Sequence, residues 1–190
     1  MKSLISSLLL AILSFSSARS DASDAETPKD DLQSVANSLS GSWNLKVKLE
    51  PAATSPNSVE GSGEEIWHLT PGGLLLIDEE SITAGSMKTQ IVGLFWADGV
   101  SHNLRALDCN NENQHTCDLK DAKDGITVRW NGRELIVEEP ESFGGKPMIS
   151  RIVWSNITTT SFVEEGYIGP PGGPFTKGMT IHASRKRVAN

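Results

Sequence analysis

The sequence predicts an all-β chain: an up-and-down antiparallel barrel of about ten strands with a short N-terminal helix in front of it. Three observations carry that fold class. Apolar and polar residues alternate with period two in run after run beyond residue 41, the pattern of half-buried antiparallel strands. The runs recur at short intervals and are separated by turn residues. No long helical pattern follows residue 40. Closing such a meander on itself removes the exposed sheet edges, which favours a barrel; a two-sheet sandwich is the alternative arrangement.

Taken in order, the chain of 190 residues suits one domain. Lys2, the apolar run from Leu4 to Phe15 and the small-residue end Ser16, Ser17, Ala18, Arg19 and Ser20 form the three-part export pattern. A signal peptide over residues 1–20 is therefore expected, cleaved from a secreted or periplasmic protein. Its apolar run is shorter than the roughly 20 residues of a spanning helix, so no membrane span is expected after cleavage. Residues 21–31 are acidic and small and read as a linker, and the barrel domain is expected over 32–187. Leu32, Val35, Ala36 and Leu39 recur at i, i+3, i+4 and i+7, one face of a short helix that Gly41 ends.

Strands are expected at Trp43–Leu49, Glu64–Leu69, Leu74–Ile82, Thr89–Trp96 and His102–Leu107. The second half continues with Ile126–Trp130, Glu134–Glu138, Met148–Trp154, Ser161–Ile168 and Lys177–Arg185. Asp98-Gly99 and Asn131-Gly132 are expected as two-residue hairpin turns, since both residue types reach left-handed backbone angles. Pro71-Gly72-Gly73 and the run from Gly169 to Pro174 are loops, because proline cannot donate to a ladder.

The charge balance narrows function. A formal net charge of -7, with 24 acidic against 17 basic residues, lacks the basic footprint that nucleic acid requires. Loss of Lys2 and Arg19 with the leader leaves 15 basic against 24 acidic residues, a net of -9. Neither Gly-x-Ser-x-Gly nor His-Glu-x-x-His occurs, so an enzyme is not expected and no catalytic residue is assigned. Cys109 and Cys117 are the two cysteines and bracket a polar stretch, and in an exported chain they read as a disulfide. Thiol titration of the unfolded, unreduced protein should then find no free thiol; two free thiols would favour the alternative, a metal site with Asp108, His115 and Asp118. No metal is assigned.

Four Glu-Glu pairs occur, Glu64-Glu65, Glu79-Glu80, Glu138-Glu139 and Glu164-Glu165. On a strand, one member of each pair faces inward. Inward members meeting across neighbouring strands would raise one another's pKa and serve as acid and base or hold a cation. A solvated exterior and rim is the plainer reading and the one adopted. Five tryptophans against one tyrosine is a further imbalance. Trp67, Trp96, Trp130 and Trp154, with Phe95, are candidates for stacking on a planar apolar ligand, with core filling as the alternative. Gly93 and Ala106 leave interior space if they face inward, but Ile91–Trp96 is apolar on both faces, so parity does not decide its inner side.

The helix running into Gly41-Ser42-Trp43 at the head of the first strand, with Arg185-Lys186 ending the last, resembles the calycin superfamily of lipocalin-like barrels. Within it the strand from Lys177 to Lys186 is similar to that of bacterial lipocalin-like proteins catalogued as a domain of unknown function. The resemblance implies a barrel closed at one end by Trp43, with Arg185 laid over the indole as a structural pair, and a cavity for a small apolar or amphipathic molecule. Relatives that carry haem use a histidine near the chain end. Here His182 falls outward if Met179, Ile181 and Ala183 face inward, so no cofactor is expected. The competing function is a solid-cored barrel acting through its surface as an envelope interaction or stress-related module.

Overall fold

The computed structural model describes residues 27–52, 56–111 and 126–187. The leader, the C-terminal part of the Cys109 to Cys117 stretch, and with it His115, Cys117 and Asp118, lie outside the described residues.

One helix, α1 (Pro28–Leu39), precedes ten strands. These are β1 (Gly41–Leu49), β2 (Val59–Leu69), β3 (Leu76–Ala84), β4 (Met87–Asp98), β5 (Asn103–Asn110), β6 (Thr127–Trp130), β7 (Leu135–Phe143), β8 (Lys146–Ser155), β9 (Ser161–Gly169) and β10 (Thr176–Arg185). Every strand pairs antiparallel with its neighbour in sequence, and β1 pairs with β10, so the sheet closes into an up-and-down barrel with no free edge.

The helix starts four residues earlier than the apolar spacing suggests, inside the stretch read as linker. Its start is set by capping. The Thr27 hydroxyl accepts from the Asp30 amide, the Asp30 carboxylate accepts from the Thr27 amide, and Pro28 opens the first turn. Asp30 and Asp31 then lie at the positive end of the helix dipole. The two turns also differ from expectation. Asp98 and Asn103 are paired and leave a four-residue loop, in which the Asp98 carboxylate accepts from the Val100 amide and the Ser101 hydroxyl, and His102, not Gly99, takes the left-handed angle. At the other hairpin the Asn131 amide donates to the Glu134 carbonyl, so the two central residues are Gly132 and Arg133, one step later than read.

The helix closes one end. Leu32, Val35, Ala36 and Leu39 are buried, and the Trp43 indole N–H donates to the Leu39 carbonyl at 2.8 Å. The Arg185 guanidinium lies 4.2 Å over the Trp43 ring and donates to the Ser40 carbonyl at 2.8 Å, while Phe162 meets the ring edge-on at 4.8 Å. Gly41 makes this possible: its φ of 135° is open to glycine, and a Cβ there would collide with the Arg185 guanidinium. Gly41→Ala should therefore destabilise by about 1–3 kcal/mol, the scale of a side chain held in such a backbone region. A denaturant midpoint unchanged in Gly41→Ala would show that Arg185 does not lock the closed end.

Candidate functional site

Inward residues follow from strand parity. Along β3 these are Leu76, Asp78, Glu80, Ile82 and Ala84, so the alternation that buries three apolar side chains also buries two acids. Glu80 stands opposite Glu65 of β2, Asp78 opposite Trp67, and Glu164 of β9 opposite Trp154 of β8. These register pairs converge Glu65, Asp78, Glu80 and Glu164 on one level of the barrel interior, all less than a tenth exposed. The reading of the carboxylate pairs as exterior and rim is thus overturned for Glu65, Glu80 and Glu164. Their partners Glu64, Glu79 and Glu165 face out, with Glu64 on Lys186 at 2.6 Å and Glu165 on Lys177 at 2.8 Å.

The electrostatics of the cluster are set first by burial. Desolvation pushes Glu65 up to about 7, moderated by the Trp67 indole, which donates to its Oε1 at 2.6 Å. Glu80 is pushed up to about 8 by burial and then by the Glu65 charge. Asp78 and Glu164 lie well above the usual carboxylate range, again through burial first and neighbouring carboxylates second. The contact between Asp78 and Glu65 works in opposite directions on the two, raising Asp78 and lowering Glu65. One oxygen of each acid has no hydrogen-bond partner, namely Glu65 Oε2, Asp78 Oδ1, Glu80 Oε1 and Glu164 Oε2. The Trp154 indole N–H is likewise unpartnered: it lies near enough to Glu65 and Glu164 to favour their charged forms, but outside hydrogen-bond geometry to either.

Above this floor the barrel encloses a cavity of about 340 Å³, at the small end of the roughly 300–1,000 Å³ typical of small-molecule sites. Asp78, Glu80, Glu164 and Trp154 line its base. Leu49, Met87, Asn110, Glu141 and Met179 line the end away from α1, where their strands begin or finish. The wall between is mainly apolar, with Ile82, Phe95, Val137 and Ile152. Gly93 and Ala106 both face this space. A Cβ on Gly93 would approach the Phe95 ring at 3.2 Å and Asp78 Cβ at 3.3 Å, so glycine there keeps the acid and the ring adjacent.

The candidate aromatics divide. Phe95 and Trp154 line the cavity, and Trp67 packs beneath them, its ring centroid 5.3 Å from Phe95 and 5.8 Å from Trp154. Trp96 follows Phe95 on the outer face of β4 and is half-buried there. Trp130 sits by α1, where its indole donates to the Ser34 hydroxyl at 3.1 Å. Neither reaches the cavity. His182 is exposed on the outer face of β10, and His68 lies outside beside Glu79 at 3.9 Å. Cys109 is on β5, one residue after the cavity-lining Asp108.

A chemical inventory of this interior is apolar walls, two aromatic faces and an acidic base whose hydrogen-bonding capacity is incompletely used. No helix among the described residues is long and apolar enough to cross a membrane. The closed ten-stranded antiparallel barrel fits a lipocalin-like fold. No protein-family model matches the chain, and no curated protein matches it.

Proposed function

We propose that this protein is an exported binder of a small amphipathic molecule, a calycin-type barrel that holds its ligand in the interior cavity and does not turn it over. The observation that supports this best is the cavity itself. An interior that side chains just fill is reached at about eight strands; this barrel has ten, and Gly93 and Ala106 present the smallest side chains to the space. Around it, unpartnered polar atoms on Asp78, Glu80, Trp154 and Glu164 face a mainly apolar wall, the mixture expected of a site that orients a ligand by polar contacts. Export is supported by the Lys2 to Ser20 pattern alone. The solid-cored alternative is disfavoured by the same open volume.

A neutral apolar fluorophore, N-phenyl-1-naphthylamine, tests the proposal. It should bind one molecule per chain with a blue-shifted, enhanced emission, and Ala106→Phe, which sets a ring into the cavity, should abolish the enhancement. A thermal midpoint measured on the same variant separates blockage from unfolding. Emission unaltered by the wild-type protein, or equal enhancement by wild type and a folded Ala106→Phe, would place any binding elsewhere.

A further inference from the structure

We infer that the cavity selects an organic cation, a small molecule with an ammonium head seated among Asp78, Glu80 and Glu164 and an apolar body lying against Phe95, Trp154 and Ile152. This rests on the proposed binding function and adds the chemical class of the ligand.

Four observations lead there. Among the described residues, the cavity is lined by six acidic side chains and by no lysine, arginine or histidine. Asp78 and Glu80 come from β3 and Glu164 from β9, at the base; Asp108 comes from β5 and Glu139 and Glu141 from β7, toward the mouth. Glu65 of β2 is the register partner of Glu80, beside it on the inner face. The cavity-lining residues of β1, β4, β8 and β10 contribute no titratable group, so among the described lining residues the charge is of one sign. Such a cleft of one sign, with low-dielectric walls, focuses its field and draws in the opposite charge.

Second, the carboxyl oxygens left without partners at the base, Asp78 Oδ1, Glu80 Oε1 and Glu164 Oε2, are acceptors awaiting donors, and an ammonium supplies three. Third, Phe95 and Trp154 stand edge to face at 6.4 Å beside those oxygens, and aromatic faces also attract a cation. Fourth, between the acids the wall is mainly apolar, with Ile82, Ile91, Val137 and Ile152, and among the described residues no three His, Cys, Asp or Glu groups are arranged to hold a metal ion. The ligand is therefore charged at one end and apolar along its length. Before it binds, the base carries protons; the ammonium favours the carboxylates, so binding expels protons and tightens as pH rises from 5 toward 8.

Calorimetric titration of the purified full chain at pH 7 with three probes of matched body tests this: phenylpropylamine, phenylpropanol and phenylpropanoate. The amine should bind at least about tenfold more tightly than the alcohol, the acid should give no binding heat, and the amine's heat should vary with the buffer's ionisation enthalpy as protons are released. In the isosteric Glu80→Gln/Glu164→Gln protein, amine affinity should fall at least about tenfold while alcohol affinity changes by less than about twofold. The wild-type comparison needs no variant, so a misfolded double mutant does not remove the test. Alcohol binding equal to or tighter than amine binding would overturn cation selection and leave the cavity function standing. Saturable calcium or magnesium binding with no amine binding would overturn it in favour of a metal. Failure of all three probes, together with failure of the neutral fluorophore, would remove both the ligand class and the function beneath it.

Discussion

Trp43→Ala should lower stability by about 3–5 kcal/mol, the range of large aromatic truncations in a core. At roughly 2–4 °C per kcal/mol for a domain of this size, the thermal midpoint should fall by about 6–20 °C. The size of the effect follows from what the indole does at the closed end. It is fully buried, it meets Phe162 edge-on, and its N–H satisfies the Leu39 carbonyl at the end of α1. Removing it leaves a cavity between helix and barrel, an unsatisfied carbonyl, and an Arg185 guanidinium without the ring beneath it. Differential scanning calorimetry checks this, and a midpoint within a degree of wild type would contradict the role of Trp43 as the barrel's base.

The second large effect is one of pH, and it runs opposite to the usual acid sensitivity. Glu65, Asp78, Glu80 and Glu164 all have folded pKa values above their unfolded ones. The native state thus holds more protons than the unfolded chain between about pH 4 and 8, so stability is greatest toward the acid side of that window. It is lost as pH rises through about 7 and 8, where Glu65 and Glu80 must ionise in the interior. At 1.36 kcal/mol per unit, the loss should be several kcal/mol, on the order of 3 or more. Below about pH 4 the trend reverses. Asp98 is held at about 2 by the Val100 amide and the Ser101 hydroxyl, and Asp30 is lowered by Thr27, so protonating them removes native hydrogen bonds. Chemical denaturation at a series of pH values should show a maximum near pH 4 and a decline from there toward about 8. Glu80→Gln should flatten that decline and be more stable than wild type at pH 8. A stability profile flat from pH 5 to 9 would mean that the four acids are not buried together.

Much of the fold was readable because alternation is a strong local signal. All ten strands lie where the period-two runs fall, since a barrel has one apolar face per strand and Leu76, Ile82 or Trp43, Leu45 and Val47 report it directly. What escaped was chemistry that periodicity does not encode. The helix start depends on the Thr27–Asp30 capping box, and the loop after Asp98 on a side chain that accepts two donors. Ile91–Trp96 has apolar residues on both faces, so only closure of the barrel shows that Gly93 and Phe95 look in and Trp96 looks out. The acidic base was half legible. Glu65 shares its parity with Trp67, Glu80 with Ile82, and Glu164 with Phe162, so each lies on the apolar side of its strand. Burying a carboxylate is costly, which argues for the exterior; the cost shrinks when the groups stay protonated, and that depends on convergence across strands far apart in sequence.

The most direct measurement is a proton–nitrogen NMR spectrum of the indole N–H groups as N-phenyl-1-naphthylamine is titrated in. The five tryptophans supply reporters at known places: Trp154 in the cavity, Trp67 beneath it, Trp43 at the closed end, Trp130 beside α1 and Trp96 on the outer wall. Interior binding predicts a large shift for the unpartnered Trp154 N–H, a smaller one for Trp67, and an unmoved Trp43, whose proton stays on the Leu39 carbonyl. A silent Trp154 with shifts confined to Trp96 would contradict the account, because the probe would then sit on the outside of a barrel whose interior holds nothing.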